Sequence, residues 1–389
     1  MTSVTVGAGL PPKGTSFGAP ALLLFLSKRG AERQRGQARA HRWCQRLLSL
    51  LALSLVTLLF AGCGEQPPYK QQAYVFGTLV EVSVHGAEEA QARQAVDAVL
   101  ADFDRMHRLL HAWEPSELER INSAIAAGKP SEPAPKEVLD LLRDAAAWSE
   151  RADGLFNPAI GNLIRLWGFH SDTFEARLPD PAEVERLVKA NPRMTDLRIE
   201  GDRVASANSG VRLDLGGYAK GYALERAAGL LQSHGVNNAL INIGGNILAL
   251  GRHGDRPWKV GIQHPRQAGA IATLELQDGE AIGTSGDYQR YFEKDGKRYC
   301  HLIDPRTGWP AQGAQAVTVL VRGEHAGTRS DVTSKPIFIA GPAEWRKMAQ
   351  RMGVADVLFI DAQGRAGATR TMAGRLEWLD QTAPVAVVD

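Results

Sequence analysis

The chain reads as an α+β protein of largely antiparallel, mixed sheets with flanking helices, and three observations lead there. Beyond residue 235, short apolar or alternating runs follow one another closely enough for hairpins, so strands outnumber helices in the second half. Before residue 235, several segments repeat apolar residues at helical spacing. The two kinds of segment do not alternate regularly, as the units of a doubly wound parallel sheet would.

In chain order, residues 73–86 alternate and predict one long strand or a strand pair. A helix over 87–110 places Ala95, Val99, Phe103 and Met106 on one face, and a second covers 135–152. Asn157 before Pro158 pairs a capping side chain with a residue whose missing N–H costs nothing at a helix start, so a third helix is predicted over 157–167. A short helix at 181–190 precedes strands at 196–206 and 211–215. The helix over 219–233 is stopped by Gly235, which tolerates a left-handed closing residue. Strands at 239–243, 247–250, 258–262, 270–276, 298–303 and 316–321 follow, then a last helix from about Pro342 and a strand at 357–360.

The N-terminal region predicts an export signal, not part of the fold. Lys28, Arg29, Arg33, Arg35, Arg39, Arg42 and Arg46 precede an apolar run over 47–60 and then Ala61-Gly62-Cys63. That order matches a bacterial lipoprotein box; an uncleaved anchor helix, or a plain signal peptide with an incidental Cys, is the alternative. In the lipoprotein box Cys63 would be acylated, and the protein lipid-anchored to the membrane on its periplasmic side. Residues 63–72, with Pro67 and Pro68, predict a tether, and 73–389 the folded domain. Residues 1–62 carry eight Lys/Arg against one Glu, a surplus of seven, so the remainder holds −5 of the chain's net +2. A mildly acidic mature protein is a poor nucleic-acid binder, and no nucleic-acid partner is expected. With Cys44 in the signal and Cys63 lipidated, Cys300 is left without an intrachain partner. Its neighbour His301 would point to the opposite face of a strand, which argues against a Cys–His nucleophile pair.

Polar and turn-forming residues concentrate in four stretches. In Val211-Arg-Leu-Asp214-Leu-Gly216-Gly217-Tyr-Ala-Lys220-Gly221 a strand runs through two glycines into a helix start, where free N–H groups and Lys220 suit an anion. The same stretch also reads as a simple glycine turn with an exposed lysine. Asn242-Ile-Gly244-Gly245-Asn246 is a second such turn. Thr284-Ser-Gly-Asp287-Tyr288 and His301-Leu302-Ile-Asp304-Pro305 are expected on neighbouring strands of one hairpin closed through Lys294-Asp295-Gly296-Lys297, with a carboxylate fixing the imidazole tautomer. Asp331-Val-Thr333-Ser334-Lys335-Pro336 offers hard oxygens of the kind magnesium takes, or else a cap or turn before a buried run.

Together these stretches, with Phe76-Gly-Thr78, the run from Trp113 to Asn122, Gly154-Leu-Phe156-Asn-Pro158 and Trp167-Gly-Phe169, resemble the ApbE-type FAD:protein FMN transferase family in content and in order. The resemblance implies an enzyme that binds FAD between the two halves of its domain. It would move the FMN half onto a Ser or Thr hydroxyl of an acceptor protein and release AMP. It further implies that Phe76, Trp113, Phe156, Asp214, Lys220, Asp287 and Leu302 line the FAD site, and that His301 is the general base with Asp304 beside it. Magnesium would be held by the Gly217 carbonyl and by Asp331 and Ser334. The chain departs from the family pattern at Lys335, where a metal-binding Thr is usual, and at Asn157, Glu225 and Asn246, where Asp is common. An ammonium at Lys335 cannot ligate magnesium but can occupy its place. The departures leave open a non-catalytic FAD-binding lipoprotein, or a hydrolase giving FMN and AMP.

Overall fold

In the computed structural model, residues 67–171, 173, 175–379 and 385–388 are described. The predicted signal, Cys63 and the first part of the tether lie outside them. Tyr69 to Gln72, expected in the tether, instead open the first strand.

The elements run β1 (Tyr69–Val75), β2 (Thr78–Val84), α1 (Glu89–Leu110), α2 (Glu117–Ala126), α3 (Lys136–Arg151), α4 (Gly161–Leu166), α5 (Pro181–Lys189), β3 (Leu197–Glu200), β4 (Arg203–Ser206) and α6 (Ala219–Ser233). Then come β5 (Ala239–Ile243), β6 (Asn246–Leu250), β7 (Trp258–Gln263), β8 (Ala270–Leu276), β9 (Ala281–Gly286), β10 (Tyr291–Lys294), β11 (Lys297–Cys300) and β12 (Ala314–Val321). The chain closes with α7 (Ala326–Met352), β13 (Asp356–Asp361), β14 (Ala366–Thr369), α8 (Arg370–Ala373), β15 (Leu376–Trp378) and β16 (Val385–Val388).

Nine strands form the main sheet in the order β1-β2-β5-β6-β9-β12-β13-β14-β16. Each pairing is antiparallel except β14 with β16. Central strands are buried on both faces, which is why they read as continuous apolar runs. In β12, Val317, Val319 and Val321 face the helices, while Ala316 and Leu320 face the small sheet β15-β8-β7. A third apolar cluster packs α4 and α5 against the β10–β11 hairpin through Leu163, Trp167, Val184, Phe292 and Tyr299.

Several local expectations are corrected. The 157–167 helix shrinks to Gly161–Leu166 because the backbone of 158–160 is committed elsewhere. Asp214 donates its N–H to the Pro158 carbonyl (2.8 Å) and Arg212 to that of Ala159 (3.1 Å). The 211–215 strand is correspondingly a single bridge, Ile160 with Arg212. The 298–303 strand stops at Cys300. Thr284 lies on β9 opposite Thr318 of β12, so it does not share a hairpin with His301. The hairpin is β10–β11, and its Asp295-Gly296 turn, with positive φ at both residues, falls where the sequence places it. The Asp331 stretch is neither loop nor turn; it is the first half of α7, which breaks at Gly341 (φ 73°) and resumes at Pro342. Helix α2 escaped the sequence reading, although Ser116 and Glu119 stand at capping spacing and the Ser116 hydroxyl accepts from the Glu119 N–H (2.9 Å).

Candidate active site

The site begins where α6 and α7 cross. Gly221 on α6 and Gly327 on α7 permit the approach: a Cβ on Gly221 would sit 2.6 Å from the Gly327 carbonyl oxygen and 2.7 Å from Asp331 Cβ. The contact lets each helix cap the other. The fully buried Asp331 carboxylate accepts the Gly221 N–H near the α6 start through Oδ2 (2.8 Å). Glu225 of α6 accepts the Gly327 N–H (2.6 Å) and the Thr328 N–H (3.3 Å) at the α7 start. Carboxylates at helix N-termini satisfy otherwise orphaned donors and complement the dipole.

Lys335, one turn along α7, extends back over Asp331. Its Nζ donates to the Asp331 carbonyl (2.7 Å) and to Asp331 Oδ1. Its methylenes lie against Gly217, where a Cβ would come within 3.0 Å of Lys335 Cε and 3.5 Å of the buried Phe156 ring. Gly217, Phe156, Asp331 and Lys335 therefore meet in space, as the sequence motifs suggest. The Ser334 hydroxyl is fully buried and committed, donating to the Asp331 carbonyl (3.0 Å) and bonding to Ser285 Oγ (2.9 Å).

These residues do not fit a magnesium ion. Both Asp331 oxygens have partners, the Ser334 hydroxyl is spent, and the Lys335 ammonium holds the open side of the carboxylate. Among the described residues no group of three or more His, Cys, Asp or Glu side chains is placed to bind a metal.

The glycine turn is held by a residue that the sequence reading quoted without assigning it a role. Asn122 is 1% exposed and uses both ends of its amide on Leu213, accepting the N–H at 2.7 Å and donating to the carbonyl at 2.9 Å. Asp214 follows, its Oδ1 accepting the Gly216 N–H (2.8 Å). Desolvation raises the Asp214 pKa, against that hydrogen bond and the nearby charges of Arg290, His111 and Arg212. The Lys220 side chain makes no hydrogen bond or ion pair among the described residues, and burial lowers its pKa against the nearby Asp331 charge. Asp214, Lys220 and His301 are each partly open to solvent yet heavily desolvated.

His301 follows β11, braced by rings. Phe169 meets it edge-on with centroids 6.5 Å apart, and Phe169 in turn stacks on Phe292 at 5.9 Å. Trp167 stacks on Tyr299 and donates its indole N–H to the Gly308 carbonyl (2.8 Å). Burial, with the charges of Lys220, Arg290 and Lys335, pushes the His301 pKa down to about 3, so the imidazole is neutral at pH 7. The expected carboxylate partner is not there. His301 Nδ1 lies 3.3 Å from the Arg290 carbonyl, which fixes Nδ1 as the protonated nitrogen and leaves Nε2 as the acceptor. Asp287 is held by Arg266 through two bonds (2.7 and 2.6 Å). Asp304 closes its own loop, accepting the Arg306 N–H (2.9 Å) and guanidinium (2.7 Å). Leu302 is buried in the main core, and its carbonyl accepts the Ala311 N–H (2.8 Å). Cys300 is buried with its thiol pushed up to about 12, so it is no nucleophile at neutral pH.

Trp113, partly exposed, meets His170 edge-on and is backed by the Arg212 guanidinium, 4.6 Å from the ring centroid. Arg212, which its motif gives no role, is anchored by Glu119 (2.6 Å) and the Ala112 carbonyl (3.0 Å). Phe76 sits at the two-residue β1–β2 turn with φ 56°, a conformation that a bulky side chain rarely adopts. It packs edge-on to Phe103 and His107, and His107 meets His111 at 5.0 Å.

A neutral imidazole, a glycine turn and cationic side chains gather near the α6 start, a constellation of the kind that group-transfer enzymes carry. The chain belongs to the ApbE family, whose model it matches over residues 76–359. It is 44% identical to the FAD:protein FMN transferase of Rhodobacter capsulatus over 83% of this chain and 61% of that one. It is 32% identical to the FAD:protein FMN transferase of Treponema pallidum over 80% of this chain and 90% of that one. The fold superposes on the ApbE protein of Thermotoga maritima with a TM-score of 0.72 at 32% identity, over 79% of this chain and 99% of that one. The chain thus spans less than two thirds of the Rhodobacter relative and nearly all of the other two.

Proposed function

We infer that this protein is an FAD:protein FMN transferase. The hydroxyl oxygen of an acceptor Ser or Thr attacks the FMN phosphorus of FAD. The bond from that phosphorus to the bridging oxygen breaks, and AMP leaves with the bridging oxygen and its electron pair. The hydroxyl proton passes to Nε2 of His301. The observation that carries this reading is the gathering of the Lys220, Arg290 and Lys335 charges about the neutral His301, close to the Gly217 turn. Lys220 and Arg290 supply the charge that a pyrophosphate seeks, and Trp113 a surface for a flat ring system. A histidine held near pKa 3 is a weak base. An anionic substrate offsets the three cations around it and raises its basicity when the hydroxyl arrives.

The N-terminal order of basic stretch, apolar run and Ala61-Gly62-Cys63 supports lipid anchoring through Cys63 on the periplasmic side of a bacterial membrane, where the acceptor protein would be met. One lipid chain binds only marginally, so the anchor needs more than one.

Co-expression with a Ser/Thr acceptor domain tests the transfer. The acceptor should gain the mass of covalent FMN and keep flavin fluorescence after denaturation. An FAD-bound protein that releases FMN and AMP without labelling any acceptor would make it a hydrolase. FAD that remains intact would make it a carrier.

A further inference from the structure

We propose that the Lys335 ammonium, fixed on Asp331, takes the place of a divalent cation beside the pyrophosphate, so that this protein binds FAD and transfers FMN without a metal. The inference rests on the flavin-transfer reading and specifies how the site neutralises phosphate.

The Asp331 carboxylate is fully buried, with one oxygen on the Gly221 N–H and the other on Lys335. A divalent ion that took this carboxylate would have to displace an ammonium whose side chain is only 14% exposed and packed against Gly217. Displacement would leave that charge desolvated and unpaired, which is costly. Lys335 has three N–H donors, and Asp331 uses two of them. The third is left for a phosphoryl oxygen. The Lys335 charge acts on both His301 and Lys220, as does that of Arg290, so the four groups lie near one another. During transfer Lys335 donates a hydrogen bond to a phosphoryl oxygen. The acceptor oxygen forms the new bond to the FMN phosphorus, AMP departs with the bridging oxygen, and the hydroxyl proton goes to His301.

The test is FAD affinity of the full-length protein, by titration in EDTA and again in millimolar magnesium. The wild type should bind equally in both, to within about twofold. Lys335→Thr should bind FAD about tenfold more weakly in EDTA and recover in magnesium, since a neutral oxygen then stands open beside Asp331. Because Lys335→Thr leaves a buried acid unpaired, the double variant Asp331→Asn/Lys335→Met removes both charges. It should lose about tenfold in affinity under both conditions. Wild-type affinity that collapses in EDTA, or Lys335 variants that bind as the wild type does in EDTA, would overturn the role of the lysine alone. FAD binding absent from the wild type in both buffers would overturn the flavin-transfer reading and this inference with it.

Discussion

The Lys335 ammonium lies on the Asp331 carboxylate one turn away on α7, and the same carboxylate caps α6 through the Gly221 N–H. A single acid thus joins two helices and orients a cation. The glycine turn that precedes α6 is carried with it, and so is Lys220 on the first turn of α6.

His301→Asn should lower single-turnover transfer by roughly 10²- to 10⁴-fold, the range for loss of a general base. FAD affinity should change by less than about threefold, because the base acts on the acceptor hydroxyl, not the flavin. Transfer at the wild-type rate in this variant would move the base elsewhere.

His301 also sets a pH dependence of stability. Its folded pKa is about 3 against an ordinary 6.5. Between those values the unfolded chain binds a proton there that the folded chain does not. Stability therefore rises with pH across that window and is insensitive to this group above it. In His301→Gln, urea midpoints compared at pH 4.5 and 7 should differ less than in the wild type. An equal difference would show that the histidine is not held neutral.

Gly221→Ala should destabilise the fold by about 1–3 kcal/mol, the usual cost of overpacking, because the new methyl meets the Gly327 backbone and Asp331. Chemical denaturation measures it. FAD binding should weaken as well, since Asp331 and Lys335 move with the crossing.

Asn122→Leu should cost about 1–3 kcal/mol for each Leu213 backbone group left unpaired. Asn122→Asp can still accept the Leu213 N–H, so its urea midpoint should fall between those of the leucine variant and the wild type. If the leucine variant is as stable as the wild type, the clamp contributes nothing.

The helix over 219–233, the strands at 239–243 and 270–276 and the Asp295-Gly296 turn were legible because each depends on neighbours in sequence: helical spacing, alternation, or two adjacent residues with positive φ. The motifs around Asp214, His301 and Asp331 stood out because polar and glycine residues are dense there. What was misread depended on distant partners. The 157–167 helix yields to backbone bonds with residues 212–214, and the Asp331 stretch becomes helix because α6 and the sheet pack around it.

By itself, then, the sequence determined the α+β class, the density of polar and glycine residues around Asp214, His301 and Asp331, and the presence of Lys335 among them. Each is a matter of residue type and short-range spacing. Only the tertiary structure decided what those residues touch. It commits Asp287 to Arg266 and Asp304 to Arg306, orients His301 with the Arg290 carbonyl, and brings Lys335 over Asp331 beside Gly217. The reason is that a buried charge takes its partner from whatever the fold places within hydrogen-bond reach, and that neighbour can be a hundred residues away, as Gly221 is from Asp331.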